Sequence, residues 1–426
     1  MDKKQYKTRL IDKTIKEYLK IAKAICIEGP KWCGKTWTSS FHALSEYYVG
    51  DPSNNFTNRR LAEMDPTKVL IGDQPRLIDE WQEVPSLWDA VRMKVDETNK
   101  KGQYLLTGSS TPIRKGVLHS GTGRILKLRM NTMSLYESGD SKGKVSLEEI
   151  CDNSFNETLL TGDVSLENIA KLIVRGGWPD NINTDASNVG VLPKGYLDSV
   201  VYEDIQKLDS NVKYESNKLL LLLRSLARNE STTATNLSLS KDISASDNGT
   251  ISDETIARYL DAFSRLFLID NQKPFSPNVR SSLRIKQGEK RHFCDPALAC
   301  AALNLNIDKL MNDLDTFGFM FEALVERDLR IYAQTFGAEL YHYQDYKGNE
   351  IDAVIEMQDG GWCGVEIKLG ANQIDEAAAK LIKINNSIAD NGGKAAKSLC
   401  VICGLTNAAY KRDDGVYVVP ITSLKN

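Results

Sequence analysis

No stretch of about 18 uncharged apolar residues, the least that crosses a bilayer, occurs in these 426 residues. The opening MDKKQYKTRLIDK also lacks the apolar run of a signal peptide, so a cytoplasmic chain with no membrane partner is expected. Excess charge of one sign is missing as well. The formal net charge is -3, so bulk electrostatics argue neither for nor against nucleic acid, and any such contact needs a local basic patch. Cysteine is sparse: eight in this length do not make a disulfide framework. Cys400 and Cys403 form a CxxC inside the apolar run SLCVICGL, without a second CxxC or a paired histidine to complete a ligand set. A buried strand is the expectation there. The four histidines (His42, His119, His292, His342) are scattered and none is given a role. Internal repeats and long low-complexity segments are absent.

What is present is ordinary globular material, 41% hydrophobic and 26% charged, in a length that calls for two or three domains. Leu10, Ile11, Ile15, Leu19 and Ile21 have helical spacing. Residues 24–28 then read as a short buried strand running into a Gly-rich turn and a helix start. Two more apolar runs, 75–79 and 102–107, each end in polar residues. Strands alternating with helical segments imply βαβ units and a parallel sheet, which defines a first domain over residues 1–140. Residues 141–290 read as mostly helical, broken by the turn at 175–180. A polar stretch at 229–253 is expected to contain a loop, followed by a helix at 255–263 and a strand at 266–269. Helix, loop, helix and hairpin is the order of a winged helix. Over 291–426 the pattern is a long helix (317–336), strands at 340–343, 350–357 and 362–368, a helix (373–388) and a last strand (398–403), a second α/β domain.

Gly29-Pro30-Lys31-Trp32-Cys33-Gly34-Lys35-Thr36 fits G-x-x-x-x-G-K-[ST]. The glycines let the backbone wrap closely enough for several N–H groups to face phosphate oxygens. Lys35 is suited to bridge the β and γ phosphates, Thr36 to ligate magnesium, and the helix that opens through Trp37 adds its N-terminal dipole. Gly29 through Trp37 is therefore the expected ATP-binding segment. Leu77-Ile78-Asp79-Glu80 supplies the partner motif: Asp79 for magnesium, Glu80 as general base on the attacking water. Thr107 and Ser109 end the next strand, where one hydroxyl could lie between the γ phosphate and water; a plain strand-ending turn is the equal alternative. Arg124 could stabilise phosphoryl charge in its own subunit or across a subunit contact in a homo-oligomer, or be a plain surface arginine.

Near the end stand Glu322 on a helix, Asp352 on a strand and Glu366-Ile367-Lys368 on the next. Alternation puts Glu366 and Lys368 on one face, where Asp352 can join them. Asp352 and Glu366 could hold a divalent metal, and Lys368 could assist a metal-bound water. The apolar flanks, Trp362 to Val365 and Leu369, argue for a pocket and against a wet surface. Arg280, Arg284, Lys286, Lys290 and Arg291 could lie along the phosphates of DNA; a solvated loop is the alternative.

GPKWCGKT, LIDEWQEVP, YLLTGSS and GRILKLRMNTMSLYE resemble the AAA-type ATPase domain of a large group of bacterial and archaeal proteins. Members carry a C-terminal domain of formerly unknown function related to the PD-(D/E)XK restriction-endonuclease fold, and GGWPD, TIARYLDAFSRLFLID, HFCDPALA, GFMFEALV and NEIDAVIE…GVEIKLG resemble that half. The resemblance implies an AAA-type core, a helical region with a winged helix and a nuclease-like terminal domain. It implies an ATP site at Gly29, Gly34, Lys35, Thr36, Asp79 and Glu80, and a nuclease-type motif at Glu322, Asp352, Glu366 and Lys368. Trp32 and Cys33 depart from the residues usual in this loop. Three functions follow as expectations: a Mg-dependent ATPase coupled to a nucleic-acid-binding or nuclease-like domain, an ATP-gated DNA endonuclease, or a non-cleaving switch that binds a protein or DNA partner.

Overall fold

The computed structural model describes residues 3–111, 120–209, 212–246, 251–277, 286 and 288–426. The chain forms two compact units: residues 1–132 with 203–214 and 261–268, and residues 133–202 with 215–260 and 269–426.

The first unit is built on five parallel strands, β1 (Ala24–Glu28), β2 (Ser45–Tyr48), β3 (Arg76–Asp79), β4 (Tyr104–Gly108) and β5 (Ile125–Arg129), in the order β2-β3-β4-β1-β5. Alternation along β1 sends Ala24 and Cys26 into one apolar cluster with Ile78 and Leu106, and Ile25 and Ile27 into another with Leu77 and Leu105. Both faces are thus covered, as a parallel sheet requires. The N-terminal helix, Ile11–Ile21, adds Ile11 and Ile15 to the second cluster.

In the second unit β6 (Val145–Ser146) pairs with the terminal β15 (Leu424–Lys425). A larger mixed sheet contains β7 (Leu159–Leu160), β8 (Lys273–Pro274), β9 (Glu339–Gln344), β10 (Glu350–Glu356), β11 (Trp362–Lys368), β12 (Ser398–Cys403), β13 (Ala408–Lys411) and β14 (Tyr417–Pro420), in the order β7-β13-β14-β12-β11-β10-β9-β8. The helix Ile374–Asp390 lays Ile374, Ala377, Ala378, Leu381, Ile384 and Ile388, one helical stripe, against Val354, Val401 and Val418 of this sheet. The helix Leu314–Thr335 packs on β9, β10 and β11. The helices Leu166–Arg175, Val191–Ser199 and Ser216–Arg228 make a helical middle region and pack on the helix Pro296–Ala302. Among the described residues no helix is long and apolar enough to cross a membrane.

The polar stretch at 229–253 contains the expected loop, at 229–235, and also the helix Asn236–Ser246, where Leu239 and Ile243, one turn apart, are both buried. Two sequence expectations need correction. Residues 266–269 do not form a strand. Phe267 has φ 57°, a left-handed turn, and pairing is confined to isolated bridges Ile269↔Phe293 and Gln272↔Lys290. Finally, β12 is not the last strand, since β13, β14 and β15 follow it. Cys400 and Cys403 do lie buried on β12.

Candidate functional site

In the first unit the carboxyl ends of β1, β3 and β4 bring three motifs to one edge of the sheet, the edge at which open α/β sheets bind ligands. The loop after β1 lies close to β5: a Cβ on Gly29 would stand 2.0 Å from the Met130 carbonyl oxygen. Gly34, at φ 101°, makes the left-handed turn that opens the helix Lys35–His42. Lys35 is buried, and its Nζ donates to the Pro30 carbonyl at 2.8 Å, across the loop it closes. Trp32 takes φ 61° and is half exposed, as is Trp37, whereas Cys33 is fully buried. Lys31 reaches Asp204 Oδ1 at 2.5 Å.

Asp79 and Glu80 are held by neutral donors. The Thr107 hydroxyl donates to Asp79 Oδ1 at 2.7 Å and accepts from the Glu80 N–H at 2.9 Å. Glu80 sits at φ 56°, ψ 49°, a left-handed conformation that costs a non-glycine residue about 1–3 kcal/mol. Its carboxylate is aimed by the Ser109 hydroxyl, 2.7 Å from Oε2, and by the Gln82 amide. Burial, with Glu80 adjacent, raises the Asp79 pKa, although the Thr107 and Thr36 hydroxyls and Lys35 pull it down. Buried, next to a hydroxyl and with Lys35 as the cation acting on it, Asp79 is a carboxylate that gains from a further cation. Among the described residues no cluster of three or more His, Cys, Asp or Glu side chains could hold a metal. Magnesium does not need one, because one or two protein oxygens plus phosphate and water suffice. The pair Thr36 and Asp79 fits that need.

Arg124 stands elsewhere. It precedes Ile125, which pairs with Ala24 at the amino end of β1, roughly 13 Å of strand from the loop. Its guanidinium is engaged by Asp96. It does not reach the loop of its own chain.

Sequence reading missed the support behind the loop. Arg9, buried, donates to the Cys33 carbonyl at 2.7 Å and to the carbonyls of Asn131 and Thr132 at 3.0 and 3.1 Å. Asp12 accepts from the Arg9 N–H and the Tyr6 hydroxyl and lies 2.8 Å from His42 Nε2, so the N-terminal segment is tied to the helix that follows the loop. No motif in the sequence marks Arg9.

In the second unit Glu322, Asp352, Glu366 and Lys368 assemble around β10 and β11. A bulge sets Asp352 and Ala353 against the single residue His342 of β9 and re-aims Asp352. Its Oδ2 accepts from the Ile367 N–H at 2.8 Å and lies 3.3 Å from Lys368 Nζ. Glu366, fully buried, lies 2.9 Å from both Lys368 and Lys380. Glu322 contacts Lys290, which also reaches Glu326 Oε1 at 3.0 Å and the Asp352 carbonyl at 3.1 Å. The other Glu326 oxygen lies 2.6 Å from His292 Nε2, and His292 Nδ1 lies 3.0 Å from Glu230.

The titration of these groups follows from burial and pairing. Burial pushes Glu322 up to about 8, against the pull of Lys290 and helped by Asp352. For Glu326 burial is overcome by His292 and Lys290, which hold it down at about 2. Burial alone would lower His292, but Glu326 and Glu230 bring it up to about 9. Asp352 is lowered by Lys368 and Lys290 in spite of burial, and Glu366 is raised by burial beside Asp352.

A metal at Asp352 and Glu366 does not fit this arrangement. Each carboxylate already faces ammonium groups, Asp352 that of Lys368 and Glu366 those of Lys368 and Lys380. Two members of the expected basic run are turned inward. Lys290 is buried among acids, and Arg291 is turned to the Ala234 carbonyl and Asn236, while Arg280 and Arg284 lie outside the described residues. Glu326, Lys290, His292, Glu230 and Lys380 were not expected in the cluster. Of these only Glu326, four residues after Glu322 on one helix, carried a spacing signal.

Residues 22–138 match the family model described as an AAA domain. This segment is an AAA-type, P-loop ATPase-like domain. Residues 166–309 and 317–424 match two models, each described as a domain of unknown function (DUF8612 and DUF4143). No curated protein matches the chain. Among solved structures, a Walker-type ATPase of Pyrococcus abyssi is similar at 10% identity, over 70% of this chain and 96% of that one, with a TM-score of 0.44.

Proposed function

We propose that the chain is a magnesium-dependent ATPase whose nucleotide state is coupled to a C-terminal domain that binds a nucleic-acid or protein partner without cutting it. The observation that carries the ATPase reading is the convergence of Lys35 and Thr36 with Asp79, Glu80, Thr107 and Ser109 at one sheet edge. In this reading the loop N–H groups and Lys35 bind the phosphates, and Thr36 with Asp79 would hold magnesium, which supplies charge neutralisation on the phosphoryl oxygens. Glu80, aimed by Ser109 and Gln82, takes a proton from water. Phosphate release from ATP by the full chain tests it. Hydrolysis by the wild type that falls at least a hundredfold in Glu80→Gln is expected, and hydrolysis unchanged in that variant would sink the assignment.

The nuclease reading draws on the same gathering of Asp352, Glu366 and Lys368, the residue types of a metal-dependent endonuclease. Their ion pairs weigh against it. Cleavage of single- and double-stranded DNA with magnesium or manganese, with and without ATP, separates the two: strand scission lost in Lys368→Ala would reinstate the nuclease.

A further inference from the structure

Lys290, expected along the phosphates of DNA, is instead buried in surroundings that are those of a bound cation. An ammonium group has three N–H donors. Around Lys290 Nζ three oxygens converge: Glu322 Oε1, Glu326 Oε1 at 3.0 Å and the Asp352 carbonyl at 3.1 Å. Two carboxylates and a backbone carbonyl are hard oxygen donors, the set that divalent magnesium, manganese or calcium would select. The donors come from a helix (Glu322, Glu326) and from the bulged start of β10 (Asp352), so a cage of oxygens is built by elements distant in sequence. Its occupant is supplied by the chain, at the bridge Gln272↔Lys290, and is nearly inaccessible to solvent.

We infer that Lys290 is a built-in cation that fills the oxygen cage of Glu322, Glu326 and Asp352 and thereby keeps divalent metal out of the C-terminal cluster. A metal entering there would have to expel a buried ammonium that already satisfies these oxygens. The neighbouring positions offer no alternative. Asp352 Oδ2 accepts from the Ile367 N–H and Lys368, Glu366 Oε1 accepts from Lys380, and Glu366 Oε2 and the second Glu326 oxygen, without hydrogen bonds of their own among the described residues, face Lys368 and His292 as ion pairs. This inference concerns the second unit alone and holds whether or not the first hydrolyses ATP.

The test uses the nucleotide-free full chain and MnCl2, with bound Mn2+ read by electron paramagnetic resonance and the unfolding temperature read in parallel. For the wild type no stoichiometric Mn2+ and no change in unfolding temperature are expected. Lys290→Ala should bind about one Mn2+ per chain, regain unfolding temperature when the metal is added, and lose both gains when Glu322→Gln is combined with it. Mn2+ held by the nucleotide-free wild type and released by Asp352→Asn would overturn the inference, and so would a folded Lys290→Ala that binds none. A Lys290→Ala chain that folds only when MnCl2 is present supports it. One that neither folds nor binds Mn2+ at millimolar MnCl2 overturns it.

Discussion

Two groups of acids, one in each unit, differ in what holds them. Asp79 and Glu80 are hydrogen-bonded by hydroxyls and an amide, from Thr107, Ser109 and Gln82, so their charge is oriented but not cancelled. Glu326 and Asp352 are held ionised by Lys290, His292 and Lys368, and Glu322 and Glu366, raised by burial, lie against Lys290, Lys368 and Lys380, so these acids find their partners within the protein. A buried carboxylate set by neutral donors keeps an appetite for an external cation. One matched to an ammonium has spent that appetite on the fold. The same residue type therefore serves a site in one unit and structure in the other.

The largest expected effects come from removing a partner on either side of this contrast. Lys35→Ala should abolish measurable nucleotide binding and hydrolysis while lowering folding stability by only about 1 kcal/mol, the net worth of its hydrogen bond to Pro30. Glu326→Ala should do the reverse. It strands Lys290 and His292 without their shared counter-ion, and breaking such a buried pair costs about 3–5 kcal/mol, readable by urea unfolding. If Glu326→Ala unfolds no more easily than wild type, the cluster is not the internal framework described above. Chelation sharpens the same point: EDTA should stop ATP hydrolysis completely and leave the urea midpoint of the nucleotide-free chain unchanged.

A smaller effect follows from pH. His292 is raised to about 9 by Glu326 and Glu230, so the folded chain binds a proton there that the unfolded chain has lost above about 6.5. Glu322, raised to about 8 by burial, acts in the same direction above the ordinary carboxylate range. Folded protein thus holds more protons than unfolded, and stability should fall as pH rises from about 6.5 through about 9. The His292 share is at most on the order of 3 kcal/mol. Urea unfolding at pH 6.5, 8 and 9.5 measures it, and His292→Asn should flatten the slope. A stability that rises over this interval would contradict the pairing.

How much of this was legible beforehand depended on distance along the chain. The phosphate loop is a contiguous string, and its neighbours are strand ends, so Lys35, Thr36, Asp79 and Glu80 could be named together from local pattern and parallel topology. The parallel sheet itself was readable because βαβ alternation is written in short apolar runs. By contrast Glu230, Lys290, His292 and Lys380 reach the acidic cluster from elements that share no periodicity with β10 and β11. A lysine in a basic-looking run gives no local sign that tertiary packing will bury it among acids. The turn at Phe267 was hidden for a related reason: an apolar Leu-Phe-Leu-Ile run reads as strand, and only the positive φ of the second residue stops it. The helix Asn236–Ser246 lay beneath a polar composition whose Leu239 and Ile243 were its only guides.

The smallest effect would test how finely the catalytic acid is set. Ser109 donates to Glu80 Oε2 at 2.7 Å, and Gln82 contacts the same oxygen, so the carboxylate of a backbone-strained residue has two aiming groups. Removing one leaves the other. Ser109→Ala should lower kcat for ATP hydrolysis by a few-fold, about 1 kcal/mol for one hydrogen bond, with KM unaffected because Ser109 contacts the acid and not the loop. Ser109→Ala combined with Gln82→Ala should lose more than the product of the single losses, since the carboxylate then has no donor to hold it over the water. Additive losses would mean that the left-handed backbone at Glu80, secured by Thr107 to its N–H, is enough to aim the side chain by itself.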